Sequence, residues 1–107
     1  MTIKLRGKRP DAVLRQIVDA LSEYDQAHPH AEIEAYRHNS VSVRIRVLNP
    51  DFANKTYAQR EDEIWSILNK LPEETVAEVS LLLLLTPEEA KKSFASCEFD
   101  DPIPSKL

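Results

Sequence analysis

Three imidazoles and a single thiol are the soft metal ligands of this 107-residue chain: His28, His30, His38 and Cys97. Protein metal sites usually converge three or four ligands and hold each with a second hydrogen bond. His28-Pro29-His30 precedes a hairpin whose turn carries His38, so His30 and His38 form the candidate pair of a histidine-based metal or iron–sulfur carrier. Its competitor is two surface loop histidines. Cys97 has no histidine near it in sequence, and one cysteine permits neither an intrachain disulfide nor a cysteine-only site. The second chemistry is phosphate contact. Lys4, Arg6, Lys8 and Arg9 form a basic cluster, and Arg37 adds a cation from the hairpin. A nucleic-acid-binding or regulatory role through these residues is the alternative reading. Against it, the only glycine is Gly7, so no glycine-rich clamp of the KH kind and no phosphate-cradling loop is present. Catalysis has the thinnest support. No serine or cysteine is followed by a positioned base, and Glu61, Asp62, Glu63, Glu73 and Glu74 fit the wet side of a helix and its following link. The expectation is a non-enzymatic protein with no cofactor.

Composition bounds the rest. The chain is 42% hydrophobic and 30% charged, with a formal net charge of −4, which suits a soluble domain and not a general nucleic-acid binder. Its length fits one domain with a modest core. The opening residues lack an apolar run of signal-peptide length and no stretch suits a membrane span, so a cytoplasmic location is expected.

The elements that must position these groups are readable from period and punctuation. Ile3 and Leu5 alternate with charges, the pattern of a short edge strand and equally of a frayed arm; residues 1–9 are assigned as a basic arm. Pro10 opens a helix whose stripe is Val13, Leu14, Ile17, Val18, Leu21 and Tyr24, and His28-Pro29 ends it. Ala31, Ile33 and Ala35 then alternate with polar residues, as do Val41, Val43, Ile45 and Val47. A three-residue His38-Asn39-Ser40 loop sets Ala35 against Val43 and Ile33 against Ile45, with Glu34 opposite Arg44 and Glu32 opposite Arg46. Thr56 to Gln59 reads as a capping box opening a helix with Ile64, Ile67, Leu68 and Leu71 on its apolar face. Val79 to Leu85 holds one polar side chain in seven residues and reads as a buried strand. Thr86-Pro87-Glu88-Glu89 opens a last helix, taken to Ala95, and residues 96–107 are expected to be an irregular tail.

The chain is thus expected to be α+β: a two-layer α-β-β-α-β-α domain over residues 10–95, with a three-stranded mixed sheet and helices packed on one face. That order, with Asn49-Pro50-Asp51-Phe52-Ala53-Asn54-Lys55-Thr56, Arg60, Ile64-Trp65 and the closing Thr86-Pro87-Glu88, resembles the BolA-like family, a small fold related to type II KH domains. The resemblance implies a protein-interaction role, with a monothiol glutaredoxin as partner, and an iron–sulfur cluster shared through a hairpin-loop histidine and a histidine at the start of the last strand. His38 matches the first; Glu78 stands where the second is expected. Asn54 replaces the family's glycine, and Arg60-Glu61-Asp62 its arginine-histidine-arginine stretch.

Apolar excess points the same way. If Val79, Leu81, Leu83 and Leu85 face the helices, Leu82 and Leu84 fall on the opposite face, and each uncovered leucine forgoes about 1.5–3 kcal/mol of burial. The tail could cover them through Phe99, Ile103 and Leu107, or a second copy or another protein could do so. Leu82, Leu84, Tyr36 and Phe99 are therefore the expected partner-binding residues.

Overall fold

The computed structural model of the chain describes residues 2–6 and 11–100. Its elements are β1 (Thr2–Arg6), α1 (Ala12–Ala27), β2 (Glu32–Asn39), β3 (Ser42–Leu48), a 3-10 turn (Pro50–Asn54), α2 (Tyr57–Leu68), α3 (Glu73–Val76), β4 (Val79–Leu85), α4 (Pro87–Lys92) and α5 (Phe94–Asp100). The starts of α1, α2, α4 and α5 each have a local side-chain cap. Asp11 is the N-cap of α1, accepting from Leu14 N at 2.9 Å. Thr56 with Gln59 and Thr86 with Glu89 both close full capping boxes, as their spacing predicts. Ser93 accepts from Ser96 N at 3.1 Å and starts a further helix, so residues 96–100 are helical and not an irregular tail.

The four strands lie in the order β1-β2-β3-β4, with β1 parallel to β2, β2 antiparallel to β3, and β3 parallel to β4. The sheet therefore has one strand more than expected, because the Ile3/Leu5 alternation resolves as an edge strand beside β2. Residues 1 and 7–9 of the assigned basic arm, Pro10, and Ile103 and Leu107 of the expected tail lie outside the described residues. The hairpin register also differs from expectation. Ile33 faces Val47, Ala35 faces Ile45, and Glu34 and Tyr36 face Arg46 and Arg44. This is a slip of two residues, which leaves every side chain on its expected face; hydrophobic alternation fixes parity and nothing finer. Turn chemistry sets the register instead. A tight Ser40-Val41 turn is held by Asn39 Oδ1 accepting from Val41 N at 2.9 Å, and a bulge between Arg37 and Asn39 restores the parity.

A second bulge decides the leucine strand. Val43 pairs with Val79 but Arg44 with Leu81, so Ser80 is an extra residue that inverts the alternation beyond it. Leu82 and Leu84 consequently join the inner core with Leu14, Ile17, Leu21, Ile33, Ile45, Val47, Phe52, Ile64 and Leu68. Leu81, Leu83 and Leu85 face outward, the reverse of the expected assignment. Their cover is α5: Phe99 is fully buried against Leu83 and Tyr36, with ring centroids 4.9 Å apart and planes at 66°. Helices therefore pack on both faces, α1 and α2 on the inner one and α5 on the outer.

Charged side chains tie these layers together. Arg37 pairs with Asp11 at the start of α1 and, at 2.8 Å, with Glu78 before β4. Arg44 pairs with Glu98, and Arg46 with Asp100 at 2.9 Å and Glu34 at 3.2 Å, fastening α5 to β3. At the far end, Asn49 Nδ2 donates to the Tyr24 hydroxyl at 2.8 Å, and burial pushes that hydroxyl up to about 12. The Arg37 guanidinium holds the Asp11 carboxyl below its ordinary 3.8, and Arg60 with the Thr86 backbone holds Glu89 below 4.5. For carboxylates depressed by folding, the added stability is complete above the unfolded values and is lost as pH falls through the folded ones. The urea midpoint is therefore expected to stay level from about pH 7 to about pH 5 and to fall below about pH 4.5. Combining Asp11→Asn with Glu89→Gln should lower the neutral-pH midpoint and flatten the acid limb; an unchanged acid limb would contradict these assignments.

Candidate functional site

The hairpin end of the outer face is where unspent side chains collect. β2 arrives there, β3 and β4 depart, and α5 begins. The Asn39-held turn places His38 and Ser42 beside one another, the bulge places Ser80 at the head of β4, and the Ser93 cap starts α5 with Phe94 projecting from its first turn. Between them lies an open cleft of about 450 Å³, bordered by His38, Ser42, Arg44, Ser80, Leu81 and Phe94. Phe94 is 88% exposed, and Val41, next to Ser42 in the turn, is 55% exposed. Tyr57, on α2, is the third large apolar side chain exposed among the described residues.

Arg44 organises the polar floor. It donates to the Tyr36 hydroxyl at 3.3 Å and pairs with Glu98 from α5. Its other terminal nitrogen lies 3.2 Å from His38 Nε2. A guanidinium only donates, so Nε2 accepts and the ring proton sits on Nδ1. His38 also meets Tyr36 edge-on, with ring centroids 6.5 Å apart. Arg44 and Glu98 thus neutralise one another, and the cleft offers an apolar rim over a paired polar floor. Among the described residues no hydrogen bond joins Ser42 or Ser80 to His38; the Ser80 hydroxyl donates weakly to Val43 O at 3.4 Å. The cleft is built to receive an apolar group, with polar atoms to orient it.

The expected site residues scatter. Leu84 is fully buried in the inner core, and Leu82 packs there too, its carbonyl accepting from the Tyr57 hydroxyl at 3.2 Å. Tyr36 and Phe99 are buried against each other on the opposite face, so these four do not form one surface. His30 precedes β2 and His38 ends it, about 25 Å apart at strand rise, too far to share an ion. No group of three histidine, cysteine or acidic side chains able to hold a metal occurs among the described residues. Cys97 is exposed on α5. Of the basic set, Lys4 is exposed on β1 and Arg6 ends that strand, while Lys8 and Arg9 lie outside the described residues. Arg37 is committed to Asp11, Glu78 and the carbonyls of Asn39 and Ser40. Sequence reasoning missed Phe94 and Val41. The signal for Phe94 was Ser93, a second N-cap immediately after Lys91-Lys92; Val41 was read as a strand residue because its alternation continues that of Val43.

Among the described residues, no helix is long and apolar enough to cross a membrane. Compared with protein-family models, curated proteins and solved structures, the chain matches none of them.

Proposed function

We propose that this chain is a non-enzymatic, cytoplasmic protein-interaction domain of BolA-like type that contacts its partner through the hairpin-end cleft. The observation that carries the reading is Phe94, 88% exposed, standing with Leu81 on the border of a cleft of about 450 Å³ at one end of the sheet. An aromatic ring left almost wholly in water beside an open cleft has the character of an anchor that a partner's surface covers. The BolA-like assignment is supported by the element order from α1 to α4 and by the positions of Phe52, Arg60 and Thr86-Pro87-Glu88 within it. By resemblance the partner is a monothiol glutaredoxin; a second copy of the chain is the competing occupant. The residues do not fit the shared iron–sulfur cluster the resemblance implies. His38 Nε2 accepts from Arg44, and Glu78, where the second histidine is expected, is paired with Arg37.

A photo-crosslinking side chain at position 94, with the same probe at exposed His30 as control, tests this reading in cytosol and against a purified monothiol glutaredoxin. One defined adduct is expected at 94, absent at 30 and lost on Ser80→Arg, which fills the cleft from an exposed position of its lining. Since both replaced side chains are exposed, stability should change by no more than about 0.5 kcal/mol. Equal labelling from both positions would exclude the cleft as the contact surface, and light scattering of the adduct separates a second copy from another protein.

A further inference from the structure

The two edges of the sheet are treated differently. At β4 the carbonyls of Leu82 and Leu84 are already occupied, by the Tyr57 hydroxyl at 3.2 Å and Arg60 Nη1 at 3.0 Å, so a strand added there would find its acceptors taken. β1 has no strand outside it among the described residues. Along such an edge alternate backbone N–H and C=O groups point away from the sheet and need a partner. The geometry points to this edge as a strand-addition site for an extended peptide of alternating acidic and apolar residues.

Side-chain character selects that occupant. β1 reads Thr-Ile-Lys-Leu-Arg, and its register sets Ile3 and Leu5 beside Ile33 and Ala35, facing the inner core, with Lys4 beside Glu34 on the outer face. Ile3 and Leu5 pack against the core yet remain only half-buried, leaving apolar surface along the outer flank of the sheet. A fifth strand would lay every second side chain against that surface and extend the core past Ile3 and Leu5. The intervening side chains would stand beside Lys4, which is exposed. A lysine on an open edge guards against self-pairing, because β1 set antiparallel to the β1 of a second copy brings like charges together. The same lysine favours a carboxylate on an incoming strand. Charge therefore argues for an acidic peptide and against a dimer through this edge. The site does not depend on the hairpin-end cleft, which involves β3, β4 and α5.

A capped peptide of about seven residues alternating valine and glutamate, within the usual strand length, is the probe, with a valine–lysine peptide as control. Titrated into the isotopically labelled full chain, the acidic peptide should move amide resonances of residues 2–6 and 32–36 and slow exchange of alternate β1 amides. It should bind about fivefold more tightly than the basic peptide, a preference that Lys4→Glu should reverse. Phe94→Asp should leave this binding unchanged, so that failure at this edge and failure of the cleft are told apart. Absence of shifts, shifts centred on Val41 and Phe94, equal binding of both peptides, or a preference that survives Lys4→Glu would each overturn the assignment.

Discussion

Arg60→Ala is expected to destabilise the domain by about 3–5 kcal/mol, the range seen when one partner of a buried charged network is removed. Arg60 is 6% exposed and donates to Phe52 O at 2.7 Å, Leu84 O at 3.0 Å and Lys55 O at 3.3 Å. It also pairs with both carboxylate oxygens of Glu89, at 2.7 and 3.2 Å, and its guanidinium lies 5.3 Å from the Phe52 ring centroid. One side chain thus satisfies the backbone of the 3-10 turn, the edge of β4 and the cap of α4. Glu89 is half in water and can rehydrate, and Phe52 O keeps the Lys55 backbone N–H at 3.0 Å, but the Leu84 carbonyl cannot reach solvent easily. A stranded acceptor costs about 1–3 kcal/mol and a lost hydrogen bond from a charged donor about 1.5–3 kcal/mol, and their sum dominates the loss. Arg60→Met separates the contributions: it keeps the aliphatic stem over Phe52, strands the Leu84 carbonyl and takes one of two donors from Phe52 O, so it should cost at least about 2 kcal/mol. Arg60→Lys should fall between, since one ammonium cannot reach groups spread around a planar fork. Glu89→Gln keeps the capping box and should be the mildest of the four. In a domain of this size Arg60→Ala lowers the melting temperature by about 15–30 °C. A methionine variant within about 1 kcal/mol of the parent in urea titration would show that the network carries little.

That network marks what a linear reading of the chain catches and what it does not. Thr56-Tyr57-Ala58-Gln59 and Thr86-Pro87-Glu88-Glu89 announced their helices because a capping box is local: donor and acceptor lie three residues apart. Strands at 31–36, 41–47 and 79–85 followed from period. The two-residue hairpin slip and the inversion of the leucine strand had no such local signature. Five consecutive leucines carry no alternation, so nothing in Leu81 to Leu85 tells one face from the other, and Ser80 looks like an ordinary polar residue until Arg44 is seen opposite Leu81. Arg37 likewise reads as a cation with charge to offer, and Arg44 and Arg46 as partners of Glu34 and Glu32 across the hairpin. Their carboxylates come from Asp11, Glu78, Glu98 and Asp100, between 26 and 54 residues away for Arg37 and Arg44, and only folding brings them together. The cleft was illegible for the same reason, being assembled from a turn, a bulge and a helix start on three separate elements.

Phe99→Ala should release α5 and not merely hollow the space beneath it. Truncating a fully buried phenylalanine costs about 3–5 kcal/mol when its surroundings stay put. Here they have no need to stay put. α5 spans seven residues, too few to persist as a free helix, and its other ties include the Glu98–Arg44 and Asp100–Arg46 pairs and the Arg46 Nη1 bond to Ser96 at 2.9 Å, while the Arg46 guanidinium loses the ring it lies 4.7 Å from. With the ring gone, detaching the segment frees its chain entropy and lets both acids rehydrate, which limits the global loss to about 3 kcal/mol. What remains is an uncovered outer face of Tyr36, Leu81, Leu83 and Leu85, apolar and contiguous. The variant should therefore show amide exchange in α5 approaching that of an unfolded peptide while α1 and α2 stay protected, rapid proteolysis after Lys92, and self-association by light scattering. Phe99→Leu, which keeps most of the buried volume, should leave α5 docked at a smaller cost. Phe94→Ala, on the same helix but exposed, should change none of these readings. If α5 instead keeps its protection in Phe99→Ala and the protein stays monomeric, then the arginine–carboxylate pairs hold the helix, and the apolar cover is secondary.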